Sequence, residues 1–181
     1  VRALMKDNSI DLLVLGPGTH LRWLLGFSPA QDERPSVLLI GKEKEIFLIP
    51  SVNAEDVRRK TDIKITVWKD ESGPDQALKE ALLYIDESSA KHIAIDEAMR
   101  AHFALIVIDA LPNPTHEFTG STIGALRMRK DQTEFINLKE NALIDDRAMK
   151  AGFAAIKEGV TELEIGKAVN KHFISEGAKT Q

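Results

Sequence analysis

The sequence predicts an α/β fold, a mixed sheet flanked by helices, followed by a helical hairpin of different character. Three observations carry this. Short apolar runs alternate with helix-period segments up to about residue 125. Two of the runs, Val37–Ile40 and Glu45–Ile49, are joined by the polar link Gly41-Lys42-Glu43-Lys44, which predicts a hairpin and makes the sheet partly antiparallel. Beyond residue 131 the strand pattern stops and two capping boxes open two helices.

In order, Val1–Asp7 reads as the last turns of an amphipathic helix that begins upstream, so Val1 is not expected to be the natural start. Asp11–Leu15 is a buried strand, and Gly16-Pro17-Gly18 is the turn that ends it. The Gly-x-Gly spacing resembles the start of a dinucleotide loop. That loop needs a third glycine where Leu21 stands and free N–H groups where Pro17 has none, and Ser28-Pro29 interrupts the helix it would open. After the hairpin, Pro50-Ser51 leads into a short helix over Val52–Lys60. Lys64–Trp68 alternates polar and apolar residues as a half-buried strand does. Gly73-Pro74 punctuates, with Pro74 suited to a first helical position, before a helix over Gln76–Asp86 with Leu78, Leu82 and Ile85 on one face. His92–Asp96 is a strand and Met99–Leu111 an apolar helix stopped by Pro112-Asn113-Pro114. Phe118–Met128 reads as a long strand weakened by Gly120 and Gly124.

Asp131 with Glu134 opens a long helix that Gly159 should stop, and Thr161 with Glu164 opens a second that ends near Gly177. Leu138, Ala142, Met149, Phe153 and Ile156 stripe the first; Ile165, Ala168, Val169 and Phe173 stripe the second. Two helices cover only part of such surface. The expected organisation is therefore one α/β domain over residues 1–125, then a linker and the opening of an incomplete second domain over 126–181. Alternatively the stripes dock on a partner chain, and self-association through them is expected.

Composition narrows the function classes. The 181 residues are 43% apolar and 29% charged, as in a globular protein with a core, and the formal net charge of −4 argues against a general nucleic-acid binder. No cysteine is present, which excludes disulfides, thiol nucleophiles and cysteine-held metals. That composition fits the cytosol, and a cytoplasmic location is expected. No apolar run is long enough to span a bilayer, and the first residues lack the apolar core of a signal peptide.

Side chains that carry chemistry are sparse. Of His20, His92, His102, His116 and His172, none sits in a metal-ligating spacing, and His172, between Val169 and Phe173, is expected to be a core histidine. Asp145 and Asp146 are adjacent on a helix and diverge by about 100°, so a solvated or capping role is expected. Gln31-Asp32-Glu33-Arg34-Pro35 stands out, two acids and an arginine on a loop after the aromatic-rich stretch from Trp23 to Phe27. From these residues alone the plainer reading is a salt-bridged surface loop. The functional alternative is an arginine that forks onto a carboxylate.

Several of these pieces together resemble the creatinase/prolidase/aminopeptidase P family. Arg2-Ala3-Leu4-Met5, the run Ile10–Phe27 and the loop Asp32–Pro35 feeding Val37–Ile40 resemble its N-terminal domain. Leu126, Arg127, Lys130, Asp131, Glu134, Leu138 and Ala142 resemble its linker and first catalytic-domain helix, and Gly159-Val160-Thr161-Glu162 its turn into the second. The resemblance implies a parent Xaa-Pro peptidase, dimeric, acting on proline-containing peptides. It implies a "pita-bread" catalytic domain with two divalent metals (Mn, Co or Zn) held by two aspartates, a histidine and two glutamates. All five ligands would follow the second helix, so no catalytic or metal residue is assigned here and the 181 residues alone should be inactive. In prolidase-like relatives the matching loop caps the partner subunit's active site, and the resemblance implies substrate-binding roles across the dimer for Asp32, Glu33, Trp23 and, foremost, Arg34. Trp23 stands where the family has tyrosine, and Leu25 where it has threonine. A creatinase-like C–N hydrolase and a non-catalytic interaction module are the alternatives on the same scaffold.

Overall fold

The computed structural model describes residues 1–178. It divides into two compact units, Val1–Met128 and Arg129–Gln181. The break falls after the expected 125/126 because a short helix, Ile123–Met128, runs through that position.

The first unit is a six-stranded mixed sheet. Its elements are helix α1 (Arg2–Asp7), strand β1 (Leu12–Leu15), α2 (Thr19–Leu25), β2 (Val37–Ile40), β3 (Glu45–Pro50), α3 (Ser51–Arg58), β4 (Ile65–Trp68), α4 (Asp75–Tyr84), β5 (His92–Ile95), α5 (Ala101–Asp109), β6 (Thr115–Phe118) and α6 (Ile123–Met128). The strand order is β4-β3-β2-β1-β5-β6. The expected hairpin is present: β2 runs antiparallel to both β3 and β1, while β1–β5, β5–β6 and β3–β4 are parallel.

Alternate residues of each strand feed opposite faces. Leu12, Val14, Val37, Leu39, Ile46, Leu48, Ile93 and Ile95 pack with Leu78 and Leu82 of α4 and Phe103 and Val107 of α5. Leu13, Leu15, Leu38, Ile40, Phe47 and Ile49 pack with Met5, Leu21, Ala54, Val57 and Ile123 from α1, α2, α3 and α6. Burial on both faces explains why β1 and β2 are unbroken apolar runs.

The segment expected as one long strand is instead three elements. β6 ends at Phe118, a 3-10 turn covers Thr119–Ser121, and α6 follows. The Thr119 carbonyl accepts the amide and the hydroxyl of Thr122. A Cβ on Gly124 would lie 2.9 Å from that carbonyl oxygen. The glycine that looked like a weak point of a strand is what lets the chain turn so tightly.

The second unit is an antiparallel-reading pair of helices, α7 (Gln132–Ala155) and α8 (Glu162–Ser175), each opened by a reciprocal capping box, Asp131 with Glu134 and Thr161 with Glu164. α7 ends before Gly159: Ile156 already has an extended backbone, and Gly159, at φ 83, belongs to the turn instead. Gly152 lets the two helices pass closely, since a Cβ there would lie 2.6 Å from Val169 Cγ2. Phe135, Leu138, Met149, Phe153, Ile156 and Leu163 are exposed. His172 is not a core residue. Its side chain is 29% exposed and lies 3.5 Å from Glu176, because α8 buries none of its residues in this chain. Asp145 and Asp146 are solvent-facing, as expected. Among the described residues, no helix is long and apolar enough to cross a membrane.

The two glycines of Gly16-Pro17-Gly18 differ. A Cβ on Gly16 would sit 2.5 Å from Met99 Cβ, whereas one on Gly18 would meet nothing within 4 Å. Gly18, at φ 162, has an extended backbone open to any residue. Gly16→Ala should therefore destabilise the unit by about 1–3 kcal/mol, and Gly18→Ala by much less, measured by urea unfolding. Equal effects would contradict the strand-ending turn.

Candidate functional site

Because β1, β3, β4, β5 and β6 point the same way, their carboxyl ends share one edge of the sheet, and antiparallel β2 begins there. Loops at this edge of an open α/β sheet are where ligands bind. Two polar clusters occupy it.

The first is the predicted loop, on which the structure brings Asp32, Glu33 and Arg34 together just before β2. Asp32 Oδ1 accepts the Arg34 amide at 2.8 Å, folding the loop on itself, and its Oδ2 lies 3.4 Å from Asn53 Nδ2 of α3. The Glu33 carbonyl is 3.0 Å from His102 Nε2 of α5. Just beyond, the Trp68 indole N–H donates to the Pro35 carbonyl at 2.9 Å in a buried position. Elements α3, β4 and α5 thus hold one loop, an arrangement that fixes geometry without a ligand.

Arg34 itself is gripped by carboxylates. Its Nε lies 3.1 and 3.2 Å from the Asp70 oxygens and its Nη2 3.0 Å from Asp70 Oδ2, while Nη1 donates to Glu33 at 2.8 Å. The hydrogen bond and charge of Asp70 push the guanidinium pKa up. A guanidinium has five N–H groups. Asp70 takes the one on Nε and one on Nη2, and Glu33 takes one on Nη1. Among the described residues, one N–H each on Nη1 and Nη2 is left, on a side chain 33% exposed. Two such donors suit a planar anion such as a carboxylate. Trp23 lies on α2 and is 39% exposed.

The second cluster was not foreseen. His20 of α2 is buried among Asp96 and Glu97, which follow β5, Thr119, which follows β6, and Arg127 of α6. Arg127 Nη1 approaches His20 Nδ1 at 2.9 Å. Arginine can only donate, so Nδ1 accepts and the ring proton resides on Nε2. Nε2 then faces Thr119 Oγ1 at 3.2 Å and Glu97 Oε1 at 3.4 Å, and the Thr119 hydroxyl donates to Glu97 at 2.6 Å. Burial works to raise the Glu97 pKa, but these hydrogen bonds prevail and hold it low. Burial prevails at Asp96, whose carboxyl is pushed up despite the Ala98 amide on Oδ1 and the nearby Gly16 amide, and whose Oδ2 has no partner in full hydrogen-bond geometry among the described residues.

His20, Asp96 and Glu97 are, among the described residues, a group close enough to share a metal ion. They do not fit one. A metal bond through Nε2 requires the proton on Nδ1, where it would face the Arg127 guanidinium rather than an acceptor. The cluster is a hydrogen-bonded tie between α2, the ends of β5 and β6, and α6. A sequence signal for both clusters existed: polar residues follow the strands within two positions, Lys69-Asp70 after Trp68, Asp96-Glu97 after Ile95, Thr119 after Phe118.

The scaffold that carries these clusters has known relatives. Residues 1–129 match the family described as the Creatinase/Prolidase N-terminal domain, and the chain belongs to that family. An Xaa-Pro dipeptidase of Lactobacillus delbrueckii subsp. lactis is 23% identical over 171 residues, covering 87% of this chain and 44% of that protein. The dipeptidase PepE of Mycobacterium ulcerans shares the fold at a TM-score of 0.84 and 22% identity, covering 97% of this chain and 47% of that one. The Creatinase/Prolidase N-terminal domain of an X-Pro dipeptidase from Streptococcus pyogenes shares it at 0.61 and 12% identity, over 71% of this chain and 94% of that one. The chain spans about half the length of the two longer relatives.

Asp96 gives a pH test. Its folded pKa is raised above the unfolded value near 3.8, so the carboxyl costs stability progressively as pH rises from 3.8 through the folded pKa, and costs nothing below 3.8. Asp96→Asn removes that cost. Its melting temperature relative to wild type should therefore increase between pH 4 and pH 7. A pH-independent difference would show that burial does not raise the Asp96 pKa.

Proposed function

We propose that this chain is the N-terminal part of an Xaa-Pro dipeptidase or aminopeptidase P-like metallopeptidase. The parent hydrolyses the bond before proline with two divalent metals (Mn, Co or Zn), whose ligands come from residues other than these. The chain serves in homodimer assembly and in covering the substrate, with the Asp32–Arg34 loop and Trp23 reaching toward the partner subunit's active site. The observation that carries this reading is the loop itself. It is tied to three elements and presents Arg34 with one N–H on each terminal nitrogen that has no partner among the described residues. Membership of the Creatinase/Prolidase family supplies the class of reaction, and the exposed apolar faces of α7 and α8 suit burial against further chain or a second subunit.

The test is hydrolysis of Xaa-Pro dipeptides by the full-length protein with Mn²⁺ or Co²⁺. Cleavage is expected, with no activity from residues 1–181 alone. Arg34→Ala should raise KM about tenfold or more while changing kcat less, the mark of a lost substrate-binding contact. Absence of cleavage by a protein that carries the five metal ligands would favour a creatinase-like C–N hydrolase. Absence of the ligands would favour an interaction module.

A further inference from the structure

Arg34 is surrounded by two acids that grip it differently, and the difference has a chemical meaning. Asp70 contacts it three times, through Nε and Nη2, with both carboxylate oxygens. It sits two residues after Trp68, whose indole is buried and anchored to Pro35, so its backbone is fixed to the sheet edge. Glu33 contacts Arg34 once, through Nη1, with a side chain 69% exposed. A monodentate contact from an exposed glutamate is a weak interaction that salt and competing anions displace.

We propose that Asp70 is the positioning residue for Arg34 and that Glu33 is a built-in stand-in for the substrate carboxylate. This rests on the reading of Arg34 as a substrate-binding residue. Asp70 holds the Nε side of the guanidinium, which turns the two terminal nitrogens outward. Glu33 occupies Nη1 while no substrate is bound. An incoming carboxylate takes the remaining N–H of Nη2 and of Nη1, a two-point contact, and its like charge drives the Glu33 carboxylate off Nη1. Glu33 thereby lowers the affinity of the site for carboxylates and keeps the guanidinium paired when it is empty. Both acids are mostly exposed, so neither role is one the fold requires.

The measurement is steady-state hydrolysis by the full-length protein of an Xaa-Pro dipeptide and of the same dipeptide with its carboxylate amidated. The wild type should prefer the acid. Asp70→Asn should raise KM for the acid about three- to tenfold, leave kcat nearly unchanged and shrink the preference over the amide. Glu33→Gln should do the opposite, lowering KM for the acid and leaving the amide unaffected. Melting curves of both variants should overlay that of the wild type. The proposal is overturned if Asp70→Asn keeps the wild-type KM and preference, or if Glu33→Gln leaves the KM for the acid where it was or raises it. Arg34→Ala separates this from the underlying reading. If it retains the preference for the acid, Arg34 is not a carboxylate-binding residue at all. If it loses the preference while Asp70→Asn does not, Arg34 keeps its role and the positioning by Asp70 is wrong.

Discussion

Burial of the sheet on both faces is the constraint from which the rest of the first unit follows. Leu13, Val14, Leu39, Phe47 and Leu48 are fully buried, and no polar side chain can stand among them without a partner. Polar chemistry is pushed to the ends of the strands. Five strands point the same way, so these ends fall along one edge. The loop of Arg34 and the cluster around His20 both occupy that edge as a consequence of how the sheet is filled.

The two clusters meet the cost of polar groups at a sheet edge in different ways. Around His20, the ring, Asp96 and Thr119 are buried while Glu97 stays partly exposed, and hydrogen bonds from Arg127, Thr119 and the Ala98 amide offset part of that cost. One donor chain, from Arg127 through the ring to Thr119 and Glu97, sets the tautomer and ties four elements together. Around Arg34 the groups are exposed, so water screens them and the ion pairs themselves contribute little stability. What they contribute is direction. A long flexible side chain held by Asp70 is restricted to fewer orientations.

Glycine marks the places where this packing is tightest. Gly16 lets the turn after β1 pass against Met99, and Gly124 lets α6 start directly above the carbonyl of Thr119. Gly152 does the same between α7 and α8. In each case the reason lies in a neighbour brought close by the fold. That is why Gly16-Pro17-Gly18 resembled a phosphate loop by spacing while serving as a turn, and why Gly120 and Gly124 looked like faults in a strand.

Local pattern was enough to read most of the elements. Apolar runs marked β1, β2 and β3, the Gly41–Lys44 link marked the hairpin, and both capping boxes marked helix starts to the residue. These features depend on neighbours a few positions away, and so the sequence alone determines them. It also singled out Asp32–Arg34, because charges beside proline on a loop are a local signal. It misread residues 118–128 and His172, where apolar content was taken for burial in a strand or a core. Tertiary structure decided the strand order and everything that depends on it. Arg34 meets Asp70 across 36 positions, His20 meets Glu97 across 77, Thr119 across 99 and Arg127 across 107. No periodicity connects residues so far apart; only the closing of the sheet brings their side chains within hydrogen-bond reach.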